Sequence, residues 1–239
     1  MALPFFYADE IKTTATQFAL NEETSKHVAQ VLRMQNGQQL LLTNGKGNLF
    51  TSEIIDDNRK KCVVKILSFT THASYEKKIT IAISLVKNSN RFEWFLEKAT
   101  EIGVSEIVPL LCTRTEKQHF RHNRMKSILI SAMLQSQQTW LPVLHEPIKY
   151  KEYIKNVQES AGEQKFVAHC EEEASKEQLV TKLSVSSKER LILIGPEGDF
   201  TKDEITEAIQ NNFAAVALGN TRLRTETAGI VAAVLLCNG

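Results

Sequence analysis

Two apolar runs that each stop at a glycine and restart as a helix constrain this chain most. The first is Leu191-Ile192-Leu193-Ile194, followed by Gly195-Pro196-Glu197-Gly198-Asp199-Phe200. The second is Ala214–Leu218, followed by Gly219-Asn220-Thr221-Arg222-Leu223-Arg224. Short continuous apolar runs suit strands buried on both faces, as in parallel sheets covered by helices. Thr201 is placed to cap a helix over 202–211, with Glu204 completing a capping box. A second helix begins near Thr225 and runs from Glu226 to Cys237 with almost no polar face. Such a helix must be buried, in a core or in a subunit interface.

The same alternation extends back to about residue 73. Ile79–Val86, Ile107–Leu111 and Phe166–Ala168 read as strands, and Arg91–Ile102 and Met125–Gln138 as helices. Phe92, Phe95, Leu96, Ala99 and Ile102 recur at helical spacing, and Gly103 fits the position just past the helix end. Residues 73–239 therefore predict an α/β domain with a mainly parallel sheet and helices on both faces. Residues 1–72 read differently. Gln39–Thr43, Leu49–Ile55 and Cys62–Phe69 are strand-like, separated by turns at Asn36-Gly37, Asn44-Gly45 and Asp56-Asp57-Asn58. One helix is predicted over Glu22–Leu32, capped by Asn21, with His27, Val28, Val31 and Leu32 on one face. These elements predict a small β-barrel. The polar stretch Thr70–Lys78 marks the boundary.

Composition narrows the class. A chain of 239 residues suits two domains or one large one. Hydrophobic residues at 42% supply enough apolar surface to offset chain entropy, which excludes a mainly disordered chain. The longest apolar stretch, Ala228–Cys237, is too short to span a bilayer. No basic segment precedes the first apolar residues, so no signal peptide is expected. Cys62, Cys112, Cys170 and Cys237 are scattered, which predicts neither zinc site nor disulfides and suits a reducing cytoplasm. A net charge of +1 leaves a nucleic-acid partner open.

Ligands of open α/β sheets bind beyond the carboxyl ends of strands. One strand-end glycine loop is also an ordinary turn; two in one sheet point to a joint ligand site. Arg222 and Arg224 at a helix start suit anionic groups. Glu226 in the first turn is a capping acid or a functional carboxylate. The nucleotide motifs GxxxxGK[ST] and GxGxxG are absent, as is GxSxG. Cys170 has no evident activating base. The run Arg114–Lys126 holds five Lys/Arg around Phe120. It is either a solvated face or a phosphate-binding surface, which Arg33 and Lys46 would extend. Glu171-Glu172-Glu173 reads as a helix N-terminus, and no metal is expected.

The pair of loops, GPEGD and ALGNTRLRTETA, resembles the RsmE family of SPOUT-class methyltransferases. The segment His27–Met34 is similar to that family's H-x-x-x-V-L-R helix, and Arg91–Val104 to its E-x-x-x-x-K-x-x-E-L-G-V helix. Pro109 and Arg114 match further positions, so the resemblance covers nearly the whole chain. It implies an N-terminal PUA-like RNA-binding barrel and a C-terminal SPOUT domain with a trefoil knot. It implies S-adenosylmethionine-dependent methylation of uridine N3 in small-subunit (16S) ribosomal RNA, by a homodimer acting on the assembled subunit. The implied cofactor residues are Ala168, His169, Leu193, Ile194, Gly195, Pro196, Glu197, Gly198, Leu218, Gly219, Asn220, Leu223, Arg224, Thr225, Thr227 and Ala228. Uridine N3 is a poor nucleophile while it carries its proton; a nearby cation would stabilise the charge left by losing it and a nearby carboxylate could take the proton, and Arg224 and Glu226 are the first candidates for those roles. Arg33, Lys46, Arg91, Arg114, Lys117, Arg121 and Arg124 are the candidate RNA contacts. The chain departs from the family pattern at Asp199, where relatives often have Gly. It departs again at Leu134–Gln138, where an acid and an Arg are replaced, with Trp140 nearby as a substitute contact. A non-catalytic RNA-binding assembly factor and a SPOUT enzyme with another target atom are the alternative readings.

Overall fold

Strand burial alternates in the first part of the chain and is continuous in the second, so two units form with different layering. In the computed structural model, residues 3–239 are described apart from 117–118, 158–161 and 172–175. Lys117, Glu172 and Glu173 therefore lie outside the described residues. Unit 1 comprises Met1–Ser74 with Met133–Leu141, and unit 2 comprises Tyr75–Ala132 with Pro142–Gly239.

Unit 1 contains β1 (Phe5–Tyr7), β2 (Gln17–Ala19), α1 (Glu22–Lys26), β3 (Gln39–Thr43), β4 (Asn48–Asp56) and β5 (Val63–Thr71). They form one sheet in the order β1-β3-β4-β5-β2, with only the β1–β3 pair parallel. Every second residue of β4 faces the core, where Phe50 and Ile54 meet Leu40, Leu42 and Val64. Asn21 caps α1 by accepting the Thr24 N–H at 2.8 Å. The helix does not stay α-helical to Leu32 as predicted. It widens into a π turn over His27–Val31, and Val31 and Leu32 leave the buried face. Trp140 is a structural part of this unit. Its ring lies on Gly47, where an added Cβ would meet Trp140 Cζ2 at 2.5 Å, and its Nε1 donates to the Ala73 carbonyl at 3.0 Å.

Unit 2 continues with β6 (Lys78–Ser84), α2 (Ser89–Ile102), β7 (Glu106–Leu111), α3 (His122–Gln135, whose last turn from Met133 counts with unit 1), β8 (Val143–Leu144), β9 (Ile148–Lys149) and α4 (Tyr150–Asn156). It ends with β10 (Gln164–Ala168), β11 (Glu177–Gln178), α5 (Leu179–Lys182), β12 (Glu189–Ile194), α6 (Lys202–Gln210), β13 (Ala214–Ala217) and α7 (Thr225–Asn238). The strand order is β11-β13-β10-β12-β6-β7-β8, with β9 also on β7, and every described pair is parallel. Leu191 and Leu193 of β12 face one core with Phe200, Ile205 and Phe213. On the other face, α7 packs on α2 and β6. Gly229 allows that approach, because a Cβ there would lie 2.7 Å from Phe95 Cε2 and 2.8 Å from Ile83 Cδ1. The predicted signals at α2 and α6 are present. Gly103 ends α2 in the left-handed region at φ +99°, and Thr201 and Glu204 form the capping box. Among the described residues, no helix is long and apolar enough to cross a membrane.

Candidate ligand cavity at the strand ends

The register of the three central strands brings their carboxyl ends level. Ala168 of β10 pairs with Ile194 of β12 on one side and with Val216 of β13 on the other. The loops that follow converge beyond the sheet and enclose a cavity of about 650 Å³. That volume lies within the range of small-molecule sites, about 300–1,000 Å³.

Most of the residues singled out from sequence come together there. Ala168, His169, Ile194, Gly195, Pro196, Glu197, Leu218, Gly219, Asn220, Leu223, Arg224, Thr225 and Ala228 all line the cavity. Leu193 does not, because strand alternation turns it into the opposite core. Gly198 and Thr227 are also off the wall. Gly198 faces Arg114 instead, whose Cδ lies 3.2 Å from where a Cβ would be. Arg222, read from sequence as suited to anionic groups, also lines the cavity, and Cys170, Lys176, Asp199, Val216, Ala217 and Thr221 line it without having been assigned to it from sequence. Asp199 lies inside the first loop motif and could have been included. Lys176 follows β10 at a distance that carries no local signal.

The Gly-Pro-Glu-Gly-Asp loop is fastened on three sides. Arg114 Nη1 donates to the Gly198 carbonyl at 2.6 Å, and the Lys87 N–H donates to Glu197 Oε1 at 2.9 Å. Asp199 accepts the Cys170 N–H through Oδ2 at 2.7 Å and the Phe200 N–H through Oδ1 at 2.8 Å. Behind the loop, the buried Glu204 carboxylate accepts the Thr113 and Thr201 N–H groups, each at 2.8 Å. Charge-assisted hydrogen bonds of this kind hold backbone in place more firmly than neutral ones. Lys176 Nζ donates to the carbonyls of His169 at 3.0 Å and Glu171 at 2.6 Å.

The wall combines apolar side chains (Ile194, Val216, Leu218, Leu223, Ala228) with the cations Lys176, Arg222 and Arg224 and the acids Glu197 and Asp199. Gly219 has φ +146°, and an added Cβ would meet nothing within 4 Å, so backbone is open to close approach. Burial pushes the Cys170 thiol up, and Asp199 pushes it further, against the opposing pull of Arg222 and Lys176. A thiol held in its protonated form is a poor nucleophile.

Glu226 is buried in the first turn of α7 but is not on the cavity wall. Its Oε1 lies 3.6 Å from Arg91 Nε, and its Oε2 has no hydrogen bond among the described residues. Three of the cations considered for RNA are thus engaged within unit 2. Arg91 faces Glu226, Arg114 holds the loop, and Arg124 pairs with both oxygens of Glu93 at 2.6 and 2.7 Å. Arg33, Lys46 and Arg121 are exposed.

Residues 73–237 match the family described as an RNA methyltransferase domain, and residues 20–67 match an RNA methyltransferase PUA domain. The structure is similar to that of a "probable rRNA-methyltransferase" from Porphyromonas gingivalis, with 37% identity, 97% of this chain and 95% of that chain covered, and a TM-score of 0.88. It is also similar to a ribosomal RNA small subunit methyltransferase E from Neisseria gonorrhoeae solved with S-adenosyl methionine, at 26% identity, 97% and 95% coverage, and a TM-score of 0.85. Among curated proteins, the ribosomal RNA small subunit methyltransferase E of Rickettsia conorii is 26% identical, over 86% of this chain and 83% of its own length. With both domain types matched and near-complete coverage by relatives of one name, the chain belongs to the ribosomal RNA small subunit methyltransferase E (RsmE) family.

Proposed function

We propose that this protein transfers the methyl group of S-adenosylmethionine to N3 of a uridine in small-subunit ribosomal RNA. The observation that carries the reading is that both glycine loops wall one shared cavity at the ends of β10, β12 and β13. Its composition fits the cofactor. Apolar side chains suit an adenine ring, the open backbone at Gly219 suits a nucleoside, and the mixed charges suit an amino-acid tail. Bound there, S-adenosylmethionine would supply an already activated methyl group.

The remaining work is alignment and charge control, which fall to this chain's own residues. The loop 195–199, fastened on three sides, fixes one wall. Arg224 stands at the start of α7, exposed and on the cavity wall, where its charge can stabilise a uridine that has lost its N3 proton. Glu226 is set back from the wall, so in this reading it acts on the site through Arg91 and the first turn of α7. Arg33, Lys46 and Arg121 are free to meet RNA.

The reading includes a homodimer, supported by the apolar α7, on which Val234 is 43% exposed, and by Trp94 of its partner α2 at 45%. It includes a knotted C-terminal path, supported by β13 pairing with β10 on the edge away from β12. A cytoplasmic location follows from the substrate. The test is methyl transfer from labelled S-adenosylmethionine to small ribosomal subunits lacking the modification, read by nucleoside mass spectrometry. N3-methyluridine is the expected product. Another methylated nucleoside would reassign the target atom. Neither transfer nor a thermal shift with the cofactor would leave a non-catalytic RNA-binding protein. Arg224→Ala is expected to lower turnover far more than cofactor affinity.

A further inference from the structure

Methyl transfer to uridine N3 needs a group that takes the N3 proton. The target base arrives from solvent on a folded RNA, so that group must lie on the cavity wall and be open to the outside. It must also have a lone pair free to accept the proton. Apart from arginines, five wall residues carry a titratable side chain: His169, Cys170, Lys176, Glu197 and Asp199. His169 is only 6% exposed, so an incoming base does not reach its ring. The Cys170 thiol is pushed up, first by burial and then by Asp199, and keeps its own proton. Lys176 Nζ donates to the carbonyls of His169 and Glu171, and an ammonium has no lone pair to offer. Asp199 has each of its oxygens held by a backbone N–H, that of Cys170 and that of Phe200. Glu226 is off the wall, 6% exposed and turned towards Arg91.

Glu197 meets every condition. It is exposed and on the wall. Its Oε1 accepts the Lys87 N–H at 2.9 Å, and among the described residues its Oε2 accepts no hydrogen bond. One oxygen is therefore fixed and the other is open. The backbone around it is held as well. Arg114 Nη1 binds the Gly198 carbonyl at 2.6 Å, and Asp199 ties the next residue to Cys170 at 2.7 Å. The Lys87 ammonium pairs with Glu116 Oε2 at 2.8 Å, so only the backbone N–H of Lys87 binds the Glu197 carboxylate.

We infer that Glu197 is the general base, its Oε2 taking the N3 proton of the target uridine. The inference rests on the reading of N3 as the target atom and names the residue that prepares that atom. The N3–H bond breaks and the proton passes to Oε2. The electron pair left on N3 forms the new bond to the methyl carbon. The pair of the broken sulfur–methyl bond stays on sulfur, which becomes a neutral thioether. Arg224, on the same wall, carries the charge opposite to that of the uracil anion. Glu197 then returns its proton to the solvent to which it is exposed.

The test uses the full chain, small ribosomal subunits and labelled S-adenosylmethionine, with N3-methyluridine read by nucleoside mass spectrometry. Glu197→Gln keeps an oxygen for the Lys87 N–H but cannot take a proton. Its turnover is expected to fall about a hundredfold or more, the range of general-base catalysis. Its affinity for S-adenosylmethionine, measured by calorimetry, is expected to stay near that of the wild type. Turnover by the variant is expected to climb with pH by about tenfold per unit, since only uridine already ionised in solution reacts, while the wild-type profile is flatter. Glu197→Ala is expected to regain turnover in formate, a small carboxylate that fits the space the side chain leaves. Wild-type turnover in Glu197→Gln would overturn the inference. So would equal losses of turnover and cofactor affinity, which would make Glu197 a residue that only holds its loop. A variant pH profile parallel to that of the wild type, with no rescue by formate, would overturn it too. If the wild-type chain makes another methylated nucleoside, or none, the N3 reading itself fails, and this inference with it.

Discussion

The Asp199 carboxylate joins the end of β10 to the loop after β12, accepting the Cys170 N–H at 2.7 Å across the mouth of the cavity. Asp199 does so from φ +65°, a conformation glycine takes freely and most other residues do not. Two backbone N–H groups bound to one carboxylate offset that strain.

Asp199→Asn separates the tie from the backbone conformation. Asn tolerates the left-handed region and keeps an acceptor for the Phe200 N–H, but its amide nitrogen cannot accept from Cys170. A loss of about 1–2 kcal/mol is expected in urea unfolding. Cofactor affinity measured by calorimetry should fall as well. Wild-type affinity would show that this tie does not set the shape of the cavity.

Arg91 and Glu226 form a pair in which only the acid is buried. Arg91→Ala leaves that carboxylate without its cation, and a loss of about 1–3 kcal/mol is expected. Glu226→Gln removes the charge as well, so the double variant should lose less than the sum of the two single losses. A double-mutant cycle in denaturant checks this, and strict additivity would mean that the two side chains do not interact.

Gly229 is the close-contact point between α7 and α2. Gly229→Ala forces a methyl group to within 3 Å of Phe95 and Ile83, and overpacking of this kind costs about 1–3 kcal/mol. A lower melting temperature is expected despite the better helix propensity of alanine. A higher one would mean that the α7–α2 interface gives way easily.

Glu106 predicts the acid limb of stability. Its hydrogen bond to His145, followed by that to Lys78, holds its carboxyl down from the ordinary 4.5 to about 2 against the opposing effect of burial. A depressed folded-state pKa means that the contribution is complete above 4.5 and is lost as the pH falls towards 2. Both partners are substantially exposed, so the contribution is about 1–2 kcal/mol. Glu106→Gln should be less stable at neutral pH and show a flatter decline between about pH 4.5 and 2. An unchanged acid limb would count against the pairing.

Much of the local structure was legible in the sequence because local structure depends on near neighbours. The capping box of Thr201 and Glu204, the Gly103 helix end and the strands over 39–43 and 191–194 each follow from residues within one turn or one pleat. The two glycine loops were legible for the same reason, and parallel strands place such loops at one end of a sheet. Where the chain alone misled, a longer-range effect decided. The spacing of Val31 and Leu32 predicts burial, but the π turn leaves them exposed. The packing of Trp140 on Gly47, more than ninety residues away, was not legible either. Arg91, Arg114 and Arg124 read as free cations, but each has a partner more than thirty residues away, which spacing cannot reveal. Residue type and local spacing determined most of the elements and the mainly parallel character of the second sheet, whereas the order in which the strands pair emerges only in the fold. The tertiary structure decided which charges remain available, because a salt bridge or a buried carboxylate depends on what the fold brings within about 4 Å.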